Sequence, residues 1–284
     1  MDAQKIIAGI TDLPTLPSVA LRINDELNNE SLTAKKLAKI ISADAAFASK
    51  ILRIANSAFY GLPTKVGSVE KAVMLLGFNM IKNLALSLSI YKLFNRDSGP
   101  RINIKGLWEH SLGCAVTSKI LAEKKNKGLG EDVFLLGILH DIGKLAILKQ
   151  NPADMEKVQQ LIVDMGVEQA EAESEILGCT HQKIGTLLLR QWKFPESIIA
   201  GVRLHHNFPP YPTKIDQYTA QSISTLVVGN QMSKALSLGQ SLNPKYHAIP
   251  PQLWAMLNVK KEDMPSLCAT TREQYGNLIN AWSW

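Results

Sequence analysis

Helical periodicity runs through this 284-residue sequence from end to end, and no stretch shows the strict apolar/polar alternation of a half-buried strand. The pattern confines the chain to all-α architectures, in which each helix hides one apolar stripe against its neighbours. Start and stop signals mark the successive helices. A Pro-punctuated lead-in, Thr11 to Pro17, precedes a helix carrying Val19, Ile23 and Leu27. Ser31 or Thr33 is placed to cap the next, which presents Leu37, Ile40 and Ile41. A third carries Phe47, Ile51, Leu52 and Ala55 and halts at the turn-rich stretch AFYGLPTKVGS. Ser68, with Glu70 favouring the dipole of the first turn, opens a fourth through Val69, Val73 and Leu76, and Gly77 divides it from the one that follows.

The polar segment Asn95–Pro100 (NRDSGP) holds Gly and Pro together and is the best linker in the chain. It predicts two helical lobes, an N-terminal bundle over 1–96 and a second lobe over 97–284. A loop-rich stretch, Asn207–Pro212, interrupts the second lobe. The tail from Gln252 returns to amphipathic helix with Trp254, Met256, Leu257, Leu267 and Leu278. There is no internal repeat and no low-complexity segment.

Several classes of protein are disfavoured by composition. Apolar residues make up 46% and charged residues 20%, the balance of a soluble globular protein. The formal charge of +6 is mild. Its densest cluster, Lys124, Lys125 and Lys127, closes a helix before Gly128, where cations complement the dipole, and no aromatics interleave with it. We therefore expect no nucleic-acid partner. Cys114, Cys179 and Cys268 are odd in number and widely spaced, which suits a reducing cytoplasm. The first residues show no signal-peptide pattern, and the most apolar windows (Val133–Leu148 and Leu84–Ile90) are too short or too interrupted to span a membrane.

Five of the six histidines form one series: His110, His140 beside Asp141, His181, and the pair His205-His206; only His247 lies outside it. The intervals, about 30, 40 and 25 residues, are those of successive helices presenting side chains to a common interior. In LLGILHDIGKLAIL an imidazole, a carboxylate and the ammonium of Lys144 interrupt an apolar helix, and such groups are costly to bury uncompensated. A divalent transition metal compensates them by accepting nitrogen and oxygen together. Lys144, one turn after His140, is placed to neutralise a bound phosphate. The plainer alternative is a core histidine hydrogen-bonded to Asp141, with Lys144 snorkelling outward. Four helices each offering histidine favour the shared site.

The series resembles the HD superfamily of metal-dependent phosphohydrolases and, within it, the HDOD domain. The likeness covers nearly the whole chain. It is carried by Leu13–Pro17, Ile40–Gly61 with its ANSAFYG, Ala72–Leu86 with LLG, Leu107–Ser111, Gly137–Leu145, His181–Pro195 and His205-His206. It implies an all-α, two-lobed fold, a helical bundle plus an HD-like lobe. It also implies metal ligands at His110, His140, Asp141, His181, His205 and His206, with Asp141 bridging if two ions bind. A further aspartate of the HD enzymes falls on Asn230 in LVVGNQMSKAL, so the site loses an anionic ligand there. The implied cofactor is one or two ions of iron, manganese or zinc.

Departures from the enzymes of the superfamily bear on activity. The GYP motif of cyclic-di-nucleotide phosphodiesterases is absent after HHNFPPYPTK, and HDIGK lacks the acidic extension of the (p)ppGpp hydrolases. The resemblance therefore implies a cytoplasmic bacterial signalling module with a partner protein, its input coming from a separate molecule. The competing expectation is a working phosphohydrolase in which Asp141 and the ion act on a phosphomonoester or nucleotide, Lys144 steadies the phosphate, and His181 or His206 moves a proton. A non-catalytic receptor for a nucleotide or other small phosphorylated ligand is the third.

Four further readings concern packing. Cys179, close before His181, is expected to be a buried thiol rather than a soft ligand. Trp108, Trp192 and Trp254 are expected in the core. Trp282 and Trp284 are expected to fold back or to meet a partner. In NSAFYGLP, Asn56 and Ser57 are expected to bond backbone at a helix end, with Gly61 permitting the turn.

Overall fold

The computed structural model describes residues 16–28, 31–94, 103–243 and 245–282, and among them every regular element is a helix. The lead-in at Thr11–Thr15, the linker at Asn95–Pro100 and Trp284 lie outside these residues. In order the helices are α1 (Ser18–Asn28), α2 (Ala34–Ser42), α3 (Ala45–Ala55), α4 (Val69–Leu76), α5 (Phe78–Phe94), α6 (Ile104–Lys125), α7 (Gly130–Leu139), α8 (Ile142–Gln150), α9 (Pro152–Met165), α10 (Gln169–Leu177), α11 (His181–Gln191), α12 (Glu196–Leu204), α13 (Gln217–Ala235), α14 (Pro251–Met256) and α15 (Met264–Trp282). No helix among the described residues is long and apolar enough to cross a membrane.

The helices sort into two compact units. One runs from Leu16 to Leu93 and includes the tail from Lys260; the other runs from Phe94 to Val259. A linear division at 96/97 puts the tail with the second lobe, whereas in space α15 packs on α3. Amphipathic periodicity tells a helix to seek a partner but does not name one. Trp282, 1% exposed, is buried in that first unit.

Caps in the first unit follow the sequence closely. Thr33, rather than Ser31, accepts from Lys36 N at α2. Asp44 accepts from Phe47 N at α3, and Ser68 from Lys71 N at α4. Gly77 separates α4 from α5 at φ +89°. After α3, Asn56 grips the loop with both ends of its amide: Nδ2 donates to Val66 O at 2.9 Å and Oδ1 accepts from Val66 N at 2.7 Å.

In the second unit α6 is the central post. It packs against α7 and α13, and its residues are buried on nearly every side, so it carries no polar face. A side chain at Gly137 would meet the backbone of Ala115 at 2.5 Å, so glycine is what allows α7 to approach α6 closely. Trp108 and Trp192 are buried as expected, while Trp254 is only partly so.

Candidate metal centre

The apolar segment around His140-Asp141 is two helices, not one. α7 ends with His140 at its C-cap, Asp141 occupies a bend (φ −100°, ψ 15°), and α8 begins at Ile142. Neighbours in a continuous helix point about 100° apart; the bend lets both side chains face one point. α8 is then held hard against the start of α11, since a Cβ on Gly143 would lie 2.0 Å from the His181 carbonyl oxygen.

Four imidazoles are oriented by the same device. His140 and His205 each cap a helix C-terminus and donate from Nδ1 to the carbonyl three residues back, Gly137 O and Val202 O, both at 2.7 Å. His181 Nδ1 donates to the Glu173 carboxylate at 2.7 Å. His110 Nδ1 lies 3.3 Å from Leu238 O and 3.3 Å from Ser233 Oγ. With Nδ1 as the donor, each Nε2 presents a lone pair. All four rings are buried, and His206 is partly so.

These lone pairs converge on Asp141. The ligating atoms of Asp141, His181, His205 and His206 lie within 4.8 Å of one another, and those of His110, His140 and Asp141 do likewise. Asp141 Oδ1 stands 3.4 Å from His181 Nε2 and 3.4 Å from His205 Nε2. His181 Nε2 is 3.3 Å from His205 Nε2 and 3.2 Å from His206 Nε2. Donors about 2.0–2.2 Å from a common ion stand roughly 3.0–3.5 Å from each other, so the spacing fits. Oδ1 itself is buried without a hydrogen bond, as are His110 Nε2 and His140 Nε2. Lone pairs opposed to lone pairs and to a carboxylate oxygen repel, and a cation relieves that repulsion.

Protonation states match. Burial, then the neighbouring His140, holds His110 well below the usual histidine range. Burial pushes His205 down to about 3. Withdrawal from solvent, then His205 and His181, depress His206 as well. Burial alone would raise Asp141, but His140 and Lys144 outweigh it and hold the carboxyl well below its ordinary value. Neutral imidazole with ionised carboxylate is the ligand form.

Oδ2 of Asp141 has different company. His140 Nε2 is 3.3 Å away and His110 Nε2 is 4.0 Å away, but Lys144 Nζ donates to the same oxygen at 2.8 Å. Lys144 is fully buried and also donates to Ser241 O at 3.1 Å, which replaces the outward-snorkelling alternative with an internal ion pair. Asn230 is 1% exposed, neither amide atom has a hydrogen bond, and it lies one turn before Ser233, which reaches His110. Cys114 and Cys179 are buried free thiols outside both donor groups.

Three groups escaped the sequence reading: Glu173, Ser233 and Ser241. Glu173 has no exposed surface, and besides His181 Nδ1 it accepts from the His181 backbone N–H at 2.8 Å and from Gln169 Nε2 at 2.8 Å. Nothing in AEAESEIL distinguishes it from Glu171 or Glu175; only the turn after α10 brings it to the ring.

The fold has counterparts among solved structures. An HDOD domain protein of unknown function from Geobacter sulfurreducens superposes with TM-score 0.84 at 22% identity, over 99% of this chain and 97% of that one. A Shewanella amazonensis SB2B protein, provisionally named a phosphohydrolase, gives 0.75 at 23% over 98% of each. A Marinobacter aquaeolei VT8 protein, provisionally named for signal transduction, gives 0.74 at 23% over 96% of this chain and 60% of that one. At these identities the likeness is one of fold. Among curated sequences, an uncharacterized protein of Treponema pallidum (strain Nichols) is 25% identical over 95% of this chain, and YuxH of Bacillus subtilis (strain 168), also uncharacterized, is 30% identical over 50%. The chain spans 50% and 34% of their respective lengths. The HDOD domain model matches residues 13–208, a span that holds the whole histidine series and stops short of Asn230. On that match, the chain belongs to the HDOD domain family.

Proposed function

We propose that this chain is a regulatory module of bacterial signal transduction that holds one divalent transition-metal ion on Asp141, His181, His205 and His206. The observation that carries the reading is the Oδ1 cluster: their Nδ1 bonds turn the Nε2 lone pairs of His181 and His205 to 3.4 Å from an Asp141 Oδ1 that has no hydrogen bond, with His206 Nε2 3.2 Å from His181 Nε2. Charge argues for one ion over two. On the Oδ1 side three histidines meet an unshared oxygen, whereas on the Oδ2 side the ammonium of Lys144 takes the position of a second cation and Asn230 adds no negative charge. A second divalent ion beside a buried ammonium would be repelled strongly. Iron, manganese and zinc all suit imidazole with carboxylate. A cytoplasmic protein partner is the expected recipient of the signal.

Elemental analysis of protein purified without added metal should find close to one ion per chain, and His181→Ala should lower it severalfold. Content below about a tenth of an ion in wild type, with no history of chelation, would overturn the reading.

A second reading, phosphoester hydrolysis, is favoured by a cavity of about 550 Å³ that reaches His110 from outside. When bound, the ion supplies Lewis-acid polarisation of a phosphoryl oxygen. In this reading His206, the partly exposed member of the set, is not a ligand and is the group placed to move a proton. Lys144 retains one N–H beyond its two bonds and offers it to an anionic oxygen. A panel of phosphomonoesters and nucleotides with Mn²⁺ or Fe²⁺ separates the two readings. Turnover abolished by His140→Ala supports the enzyme; an inert wild type that gains activity as Asn230→Asp marks a site lacking only its last anionic ligand.

A further inference from the structure

The cavity beside His110 has a character of its own. One wall is α9, with the buried Ile162 and with Val163, which is 78% exposed. The other is the end of α13 and the loop that follows, with Lys234, Ser237 and Gln240. That loop is fixed: Gln240 N donates to Gly106 O at 2.8 Å, and Asn103 Nδ2 donates to Gln240 Oε1 at 3.1 Å. Apolar surface on one side, amide and hydroxyl groups on the other, and about 550 Å³ of space are the ordinary attributes of a small-molecule site.

Its charge is one-sided. No carboxylate is among the described lining residues, while two lysines are. Lys245 is spoken for: its Nζ donates to Gly166 O and lies 3.9 Å from the Glu168 carboxylate. Lys234 is partly buried and makes no hydrogen bond or ion pair with any described residue. Burial, and then the ammonium of Lys144, push it down to about 8, against the opposing pull of the Asp141 and Glu168 carboxylates.

We propose that this cavity binds a small organic anion, whose charged group is held by Lys234 and whose apolar body lies against Ile162 and Val163. A carboxylate and a phosphate ester share the required chemistry, an anionic head on an apolar or planar body. The occupant shares a wall, His110, with the histidine cluster. The proposal needs the cavity and Lys234 and does not need an ion, so it stands apart from the metal reading.

Isothermal titration of the full chain, as purified and after chelation, with hexanoate, AMP, adenosine and inorganic phosphate is the test. Hexanoate or AMP should bind, adenosine should bind at least tenfold more weakly than AMP, and inorganic phosphate should bind more weakly than whichever anion carries a body. Lys234→Met should weaken the anion at least tenfold with metal content unchanged, and Lys234→Arg should restore most of it. Val163→Asp, on an exposed position where folding is not at stake, should weaken it several-fold. No binding of either organic anion at millimolar concentration overturns the proposal. So does binding that Lys234→Met and Val163→Asp leave intact, and an anion lost on chelation yet indifferent to both variants is bound to the ion instead. Loss in Lys234→Met that persists in chelated protein supports the proposal even if the metal reading fails.

Discussion

Both carboxylate oxygens of Glu173 converge on His181, one taking the backbone N–H at 2.8 Å and each within 2.8 Å of Nδ1. The pair therefore sets the position, tautomer and basicity of one ring at once, the arrangement by which outer carboxylates orient metal-binding histidines. Glu173→Gln keeps the size and removes the charge. Metal affinity should fall about 10–100-fold, read by competition with a chromogenic chelator. An affinity within twofold of wild type would mean the carboxylate is only a helix tether.

Lys144→Met should act in opposite directions on the empty and loaded protein. Removing one partner of a buried pair leaves Asp141 uncompensated, which costs about 3–5 kcal/mol in chelated protein by urea denaturation. Added Mn²⁺ or Zn²⁺ should recover much of that loss, because an ion can now occupy the Oδ2 side. Metal content should rise from one ion per chain toward two. A variant still holding a single ion would remove Lys144 from the explanation of stoichiometry.

Chelated protein should lose stability as the medium is acidified. His205 falls to about 3 in the fold against an ordinary value near 6.5, and His110 and His206 shift the same way. Below 6.5 the unfolded chain therefore binds protons that the folded chain refuses, and linkage favours unfolding from there down to about 3. Asp141, also depressed, adds to the loss only below its ordinary value of 3.8. Urea midpoints in excess chelator should drop between pH 7.5 and 5.5. Equal midpoints would show that these rings are not buried in neutral form.

Gly143→Ala tests the contact between α8 and α11. The new methyl would fall 2.0 Å from the His181 carbonyl oxygen, so one helix must shift. Overpacking of this kind costs about 1–3 kcal/mol. Because the displaced residue is a ligand, metal content should drop together with the melting temperature. Full occupancy in a destabilised variant would separate the contact from the centre.

Asn56→Ala, in the unit without the histidines, is the matching control. It removes both hydrogen bonds to Val66 and should cost about 1–3 kcal/mol, since the backbone groups of Val66 lose their partners. Metal content of the folded protein should not change. A parallel loss of metal would show that the histidine cluster depends on this loop.

Much of the molecule is decided locally and was open to reading from the residues. Helix starts at Thr33 and Ser68, the stop at Gly77 and the all-α class follow from caps and periodicity, which act over three or four residues. The candidate ligands follow from residue chemistry, since neutral imidazole and carboxylate in an apolar setting demand a partner. What the tertiary structure alone decided is how those groups meet. The bend at Asp141, which splits an apparently continuous helix, turns His140 and Asp141 to one point. The capture of Oδ2 by Lys144, the Glu173 carboxylate behind His181 and the packing of α15 on α3 join residues distant in sequence or separated by a turn. Periodicity says which face of a helix is buried and is silent on what it is buried against, because that choice is made by the shapes and charges of elements far along the chain.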